Sequence, residues 1–91
     1  MIMFFVYILQ SIREPKELYI SFTHNIQRRL KEHNQKLSFA TKPYAPWKLI
    51  YPEGCLNQKD ALHHEHYLKT NQGRRFIKRR LKEYFYHQRY T

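Results

Sequence analysis

His33 and Glu65 fall where apolar residues are expected, and a polar group in such a place needs a reason. With about 100° between successive helical residues, setting Ile26 at zero puts Leu30 at about 40°, Leu37 at about 20° and His33 at about 340°. His33 thus lies in the middle of an apolar face, and Arg29, one turn earlier, borders that face on the same side. On a later helical stretch, setting Ala61 at zero puts Leu68 at about 340° and Glu65 at about 40°. An ionised carboxylate facing a core is costly unless a cation or a metal meets it. Glu65 therefore reads either as the buried partner of an arginine such as Arg29 or as a metal ligand. A histidine on an apolar face reads as a satisfied core residue or as a functional base.

Tyr7 and Tyr19 stand on two strand-like runs that a polar turn joins, which brings them onto neighbouring strands. Two phenols, an imidazole, a guanidinium and a carboxylate in one cleft suit phosphodiester cleavage. A phenol or imidazole can position or deprotonate water, an arginine can stabilise the extra negative charge of the transition state, and a carboxylate can hold Mg²⁺.

The elements that must position these residues can be read along the chain. Met1 to Leu9 is an apolar run without a preceding positive charge or a following small-residue cleavage site, so a signal peptide is a poor reading. It is too short to span a bilayer as a helix, and its Phe, Val, Tyr and Ile content predicts a strand covered on both faces. Arg13-Glu14-Pro15-Lys16 turns it into a second strand, Leu18 to Phe22. Thr23 or Asn25 caps the helix carrying Ile26, Leu30 and Leu37. Residues 38–46 are a loop, Trp47 to Tyr51 is a third strand stopped by Pro52 and Gly54, and Asn57 starts a helix that Asn71-Gln72-Gly73 ends. Arg74 to about Tyr86 forms a last, basic helix. The expectation is one α+β domain over residues 1–91, ordered β-β-α-β-α-α, with a small antiparallel sheet and helices packed against it.

The charge is lopsided: 17 Lys and Arg against 7 Asp and Glu give +10 with histidine neutral. Two basic groups stand out: Arg28, Arg29, Lys31, Lys36, Lys42 and Lys48, offset only by Glu32, and Lys69, Arg74, Arg75, Lys78, Arg79, Arg80, Lys82 and Arg89 toward the C-terminus, against Glu83 alone. Such patches on a small body are an electrostatic footprint for nucleic acid. Arg75, Arg79 and Lys82 fall on one helical stripe, and Phe76 on another side can anchor that helix. The tail's scattered aromatics, Tyr84, Phe85, Tyr86 and Tyr90, argue against membrane binding; they read either as surfaces that stack on bases or as the packing of the last helix onto the sheet. One cysteine, Cys55, rules out an internal disulfide framework and suits a reducing, cytoplasmic setting. His63-His64-x-His66 spreads away from Glu65 on the wheel and reads as a solvated face or a phosphate contact rather than a zinc site.

The motif order resembles the GIY-YIG endonuclease domain. Phe5-Val6-Tyr7-Ile8-Leu9 stands for its first motif and Leu18-Tyr19-Ile20-Ser21 for its second. The segment Asn25 to Asn34, the strand Trp47-Lys48-Leu49-Ile50-Tyr51, and Ala61, Glu65 and Tyr67-Leu68-Lys69 follow in order. The chain is most similar in kind to small stand-alone bacterial members that resemble the N-terminal nuclease domain of the excision-repair endonuclease. The resemblance implies a three-stranded antiparallel sheet flanked by helices and a DNA-hydrolysing site. Tyr7 and Tyr19 correspond to the two motif tyrosines, Arg29 to the catalytic arginine, and His33 to a histidine of several branches. Glu65 corresponds to the glutamate that holds one Mg²⁺ or Mn²⁺. The implied partner is DNA, including branched or single-stranded forms, with RNA as the other nucleic acid and DNA repair as the context. Phe5 stands in place of the first motif's glycine, a substitution tolerated in the small members, and two further positions depart from the pattern: Ser21 replaces a glycine and Phe22 replaces a small or basic residue. They motivate an alternative reading, a catalytically impaired nucleic-acid-binding module of the same fold.

Overall fold

The computed structural model describes residues 2–89. Strands β1 (Phe4–Ser11), β2 (Leu18–Thr23) and β3 (Trp47–Cys55) form one antiparallel sheet in the order β2-β1-β3. Being central, β1 is buried on both faces from Val6 to Ser11, which is why its sequence is apolar without alternation. Its alternate side chains sort two cores. Val6 and Ile8 face Ala61, Leu68 and Ile77. Tyr7 and Leu9 face the other way, toward Trp47, Ile26 and Leu30. Helix α1 (Ile26–Asn34) therefore covers one face of the sheet, and α2 (Gln58–Leu68) and α3 (Asn71–Arg80) cover the other.

The architecture is the α+β arrangement expected, with several local differences. Asn25 caps α1, accepting from the Arg28 N–H at 3.0 Å, and Asn57 caps α2, accepting from the Lys59 N–H at 2.8 Å. Helix α1 stops at Asn34, and Lys36, with φ 63°, turns the chain away. Leu37 consequently does not join the apolar face and is 69% exposed. Strand β3 does not stop at Pro52 but continues to Cys55. It lies at the sheet edge, where a proline's missing N–H breaks no inner ladder. A register shift opposite Ile8 and Leu9 leaves Ile50 without a partner on β1.

Asn71-Gln72-Gly73 does not end a helix; it opens α3. The Thr70 hydroxyl caps this helix, accepting from the Gly73 N–H at 3.0 Å. Gly73 is needed for close approach rather than for a turn, because a Cβ there would sit 2.0 Å from the Tyr67 carbonyl oxygen. The basic helix expected over residues 74–86 is likewise two helices, α3 and α4 (Lys82–Arg89), broken at Leu81. The break lets α4 fold back on the sheet. The Tyr84 hydroxyl and Gln88 both bond the side chain of Gln10, which is 1% exposed, and Lys48 lies 5.3 Å over the Tyr84 ring. Phe76, expected to anchor the basic helix, packs against the Val6–Ile77 core with Phe85. Tyr90 lies outside the described residues. No helix among the described residues is long and apolar enough to cross a membrane.

Candidate active site

Tyr7 is placed by the middle of β1, and its ring is 1% exposed. Antiparallel register pairs Tyr7 with Ser21 and Leu9 with Tyr19, so the two tyrosines are diagonal neighbours on one face, with ring centres 6.5 Å apart. Helix α1 lays His33 across them. The Tyr7 hydroxyl lies 3.1 Å from His33 Nε2, and Tyr19 meets the imidazole edge-on at 5.0 Å. His33 is fully buried, and its other ring nitrogen, Nδ1, lies 2.7 Å from Thr41 Oγ1.

The proton positions are assigned from the donors and acceptors around the ring. The Thr41 hydroxyl points to the Ser38 carbonyl at 3.5 Å, so its oxygen is left to accept from His33 Nδ1–H. Nε2 then carries the lone pair and accepts from the Tyr7 O–H. Thr41 itself is held by the Trp47 indole N–H, which donates to the Thr41 carbonyl at 2.9 Å. Asn34 holds Trp47 in turn through two bonds to its backbone, at 2.6 and 3.0 Å. Thus the loop after α1 is not a bystander but the support of the imidazole.

Electrostatics match this protonation state. Burial pushes His33 below its ordinary value and the nearby Arg29 charge adds to the effect, while Glu32 opposes it. The imidazole is neutral at physiological pH. Burial raises the Tyr7 phenol above its usual range, the neighbouring Tyr19 adds to this, and Arg29 and the Ser21 hydroxyl act against it. Arg29 is half-buried beside Tyr7 and ion-paired to Glu32 at 2.5 Å. The cluster therefore brings Tyr7, Tyr19, Arg29 and His33 together, as the sequence suggested, and adds Ser21, Glu32 and Thr41. Thr41 had no signal in the sequence, since a threonine in a polar loop looks like any other.

Glu65 is as buried as the wheel suggested, at 7% exposure, but its partners are not those expected. Arg29 pairs with Glu32. Glu65 pairs instead with Lys69 at 3.2 Å and lies 3.5 Å from His66. It stands on α2, on the stripe of Ala61 and Leu68, and its ion-pair partners among the described residues are not those of the Tyr7 cluster. Lys69 is accordingly half committed to Glu65 rather than a free phosphate ligand. His64 packs on Phe76 and lies 3.4 Å from Glu53. Arg28 and Lys31 are exposed on α1, and Arg74, Arg75, Lys78, Arg79 and Lys82 are exposed on α3 and α4.

Residues 3–80 match the family model described as the GIY-YIG catalytic domain. The chain belongs to the GIY-YIG family. Among its relatives is the structure-specific endonuclease subunit SLX1 of Debaryomyces hansenii, 38% identical over 85% of this chain and 24% of the relative. A UPF0213 protein of Clostridium perfringens is 35% identical over 71% of this chain and 69% of its own length, and one from Desulfotalea psychrophila is 37% identical over 71% and 59%. The chain thus spans about a quarter of the yeast relative's length. Placed on the GIY-YIG fold, the two motif departures are unequal. Phe22 pairs with Val6 and packs in the opposite core, away from Tyr7. Ser21 alone faces the site.

Proposed function

We propose that this GIY-YIG domain is a divalent-metal-dependent endonuclease that hydrolyses DNA phosphodiester bonds. The observation that carries the reading is the buried Tyr7–His33 hydrogen bond with Arg29 beside it. As water attacks phosphorus, the Tyr7 oxygen takes a water proton while the phenolic proton passes to His33 Nε2. The resulting imidazolium keeps its Nδ1–H on Thr41. Arg29, a third exposed and held by Glu32, stabilises the charge that builds on the phosphoryl oxygens. Tyr19 keeps the imidazole from rotating out of line.

Glu65 is the residue that would hold Mg²⁺ or Mn²⁺. A single hard carboxylate suits Mg²⁺, which keeps several waters and completes its shell with substrate phosphate. When bound, the ion would supply Lewis-acid stabilisation of the phosphate and lower the pKa of a bound water. Glu65 would have to exchange Lys69 for the ion. Cleavage of flap, single-stranded and duplex DNA in Mn²⁺ and Mg²⁺ tests the reading. Activity is expected in the parent and lost in Tyr7→Phe and Glu65→Ala. No cleavage at high enzyme concentration, or cleavage untouched by both substitutions, overturns it.

One observation favours the second reading, a binding module without catalysis. The Ser21 side chain reaches the Tyr7 hydroxyl, where the family's glycine would leave room. Ser21→Gly is the discriminating substitution, because Phe22 is a core residue whose replacement would test packing instead. A parent that binds DNA without cutting it, together with a Ser21→Gly variant that cuts, selects the second reading.

A further inference from the structure

The face of the sheet opposite Tyr7 carries a groove of about 1170 Å³ between the β1–β2 hairpin and helices α3 and α4. Its accessible floor is apolar: Leu18 and Ile20 from β2 and Phe85 from α4, laid over the buried Ile8 and Ile77 of the core. Its rim is cationic. Arg74, Lys78 and Lys82 recur every four residues on the helical side, and Lys16 stands on the hairpin turn across from them. All four are exposed, and none forms an ion pair among the described residues. Glu17 is the one carboxylate among the described residues that line the groove. Arg75 and Arg79, which the sequence put on one stripe with Lys82, do not line it.

We propose that this groove binds a single-stranded nucleic-acid segment, with phosphates on Lys16, Arg74, Lys78 and Lys82 and base faces on the apolar floor. The charge is complementary to a polyanion. The mixture of a cationic rim and an apolar, partly aromatic floor is the one that single strands use, because every base has a face to bury while its phosphate stays at the edge. A duplex keeps its bases stacked inside and would leave the floor uncovered. Arg74 to Lys78 rises about 6 Å along α3, and Lys82 stands beyond the break at Leu81, at the start of α4. The groove and the Tyr7 cluster lie on opposite faces of the sheet, so a strand held here is not the segment presented to Tyr7. Where the chain cuts DNA, which rests on the nuclease reading, this arrangement selects substrates with a single-stranded arm beside the scissile bond. Binding in the groove itself does not depend on that reading.

The test uses the full chain with methyl-labelled isoleucine and leucine and an eight-residue oligothymidylate. Titration is expected to shift Leu18 and Ile20 ahead of Ile26 and Leu30 on the other face. By fluorescence anisotropy, Arg74→Glu with Lys78→Glu is expected to weaken binding at least tenfold, and Arg75→Glu with Arg79→Glu no more than threefold. The groove pair changed to alanine should also reduce the salt slope by about 1.4, for two single-strand phosphate contacts. Shifts confined to Ile26 and Leu30, or equal losses in the two charge-reversal pairs, overturn the proposal. A hexaglutamate peptide that gives the same shifts at the same concentrations overturns it in favour of an acidic protein segment. Cleavage by Tyr7→Phe judges the nuclease reading separately, since the groove shifts are measured on the parent chain without metal.

Discussion

Thr41→Val removes one oxygen from the most deeply buried part of the site and leaves its shape nearly unchanged. Thr41 and His33 are both fully buried, and the 2.7 Å bond between them is the partner of His33 Nδ1. Without the hydroxyl, Nδ1–H is left unsatisfied, which costs about 1–3 kcal/mol. Taking about 2 kcal/mol, and about 4–8 °C per kcal/mol for a domain of this size, the melting temperature should fall by about 8–16 °C. The loss has a second consequence. The imidazole can satisfy itself by moving its proton to Nε2, which then faces the Tyr7 hydroxyl with a donor rather than a lone pair. Nitrogen-15 shifts of His33 should report that change of tautomer, and single-turnover cleavage should fall at least about tenfold. Thr41→Ser restores the hydroxyl and should restore both the tautomer and most of the rate. A Thr41→Val protein with a melting temperature within two or three degrees of the parent (roughly 0.5 kcal/mol or less) and unchanged His33 shifts would refute the reasoning.

Three further outcomes follow from the same geometry. Gly73→Ala should destabilise the fold by about 2 kcal/mol in urea denaturation: overpacking against immovable backbone costs about 3 kcal/mol and better helix propensity returns about 1. The motivating contact is the 2.0 Å approach of the added Cβ to the Tyr67 carbonyl. His33 has a folded pKa below its ordinary 6.5, so the unfolded chain gains a proton that the folded chain refuses. Its contribution to stability is therefore complete above about pH 6.5 and lost as pH falls below it. Urea midpoints between pH 7.5 and 5 should show this decline, and His33→Gln should flatten it. Glu32→Gln releases Arg29, and because both side chains are 32% exposed the stability change should stay below about 1 kcal/mol. Cleavage should fall severalfold, against about 10²–10³-fold for Arg29→Ala; equal effects of the two would deny Glu32 a positioning role.

Much of the arrangement was legible because it obeys local rules. Alternation and turn chemistry place the hairpin, and the apolar run of β1 signals a strand covered on both faces. The asparagine caps of α1 and α2 follow from side chains that bond the first free N–H groups. Helical periodicity alone put His33 and Glu65 among buried residues, and both are buried. The same rule failed for Leu37, because the wheel assumes a continuous helix and cannot see where Lys36 turns the chain. It also could not see that Gly73 serves helix-to-helix approach instead of a helix end, since glycine permits both.

What burial alone left open was the partner of each polar group, and only the tertiary structure decided it. Glu65 pairs with Lys69 and not with Arg29 because α2 and α1 cover opposite faces of the sheet, which leaves Arg29 to Glu32 on its own helix. Thr41 reaches His33 because Trp47 and Asn34 pin a loop that has no periodicity to read. Ser21 faces the site and Phe22 does not because β2 pairs in one register with β1 and adjacent residues point to opposite faces. The basic tail owes its charge to composition but its groove to the break at Leu81, which folds α4 back and brings Lys82 beside Arg74 and Lys78. Residue types fix which bonds are available; the packing of one face of the sheet against α1 and the other against α2 and α3 fixes which are made.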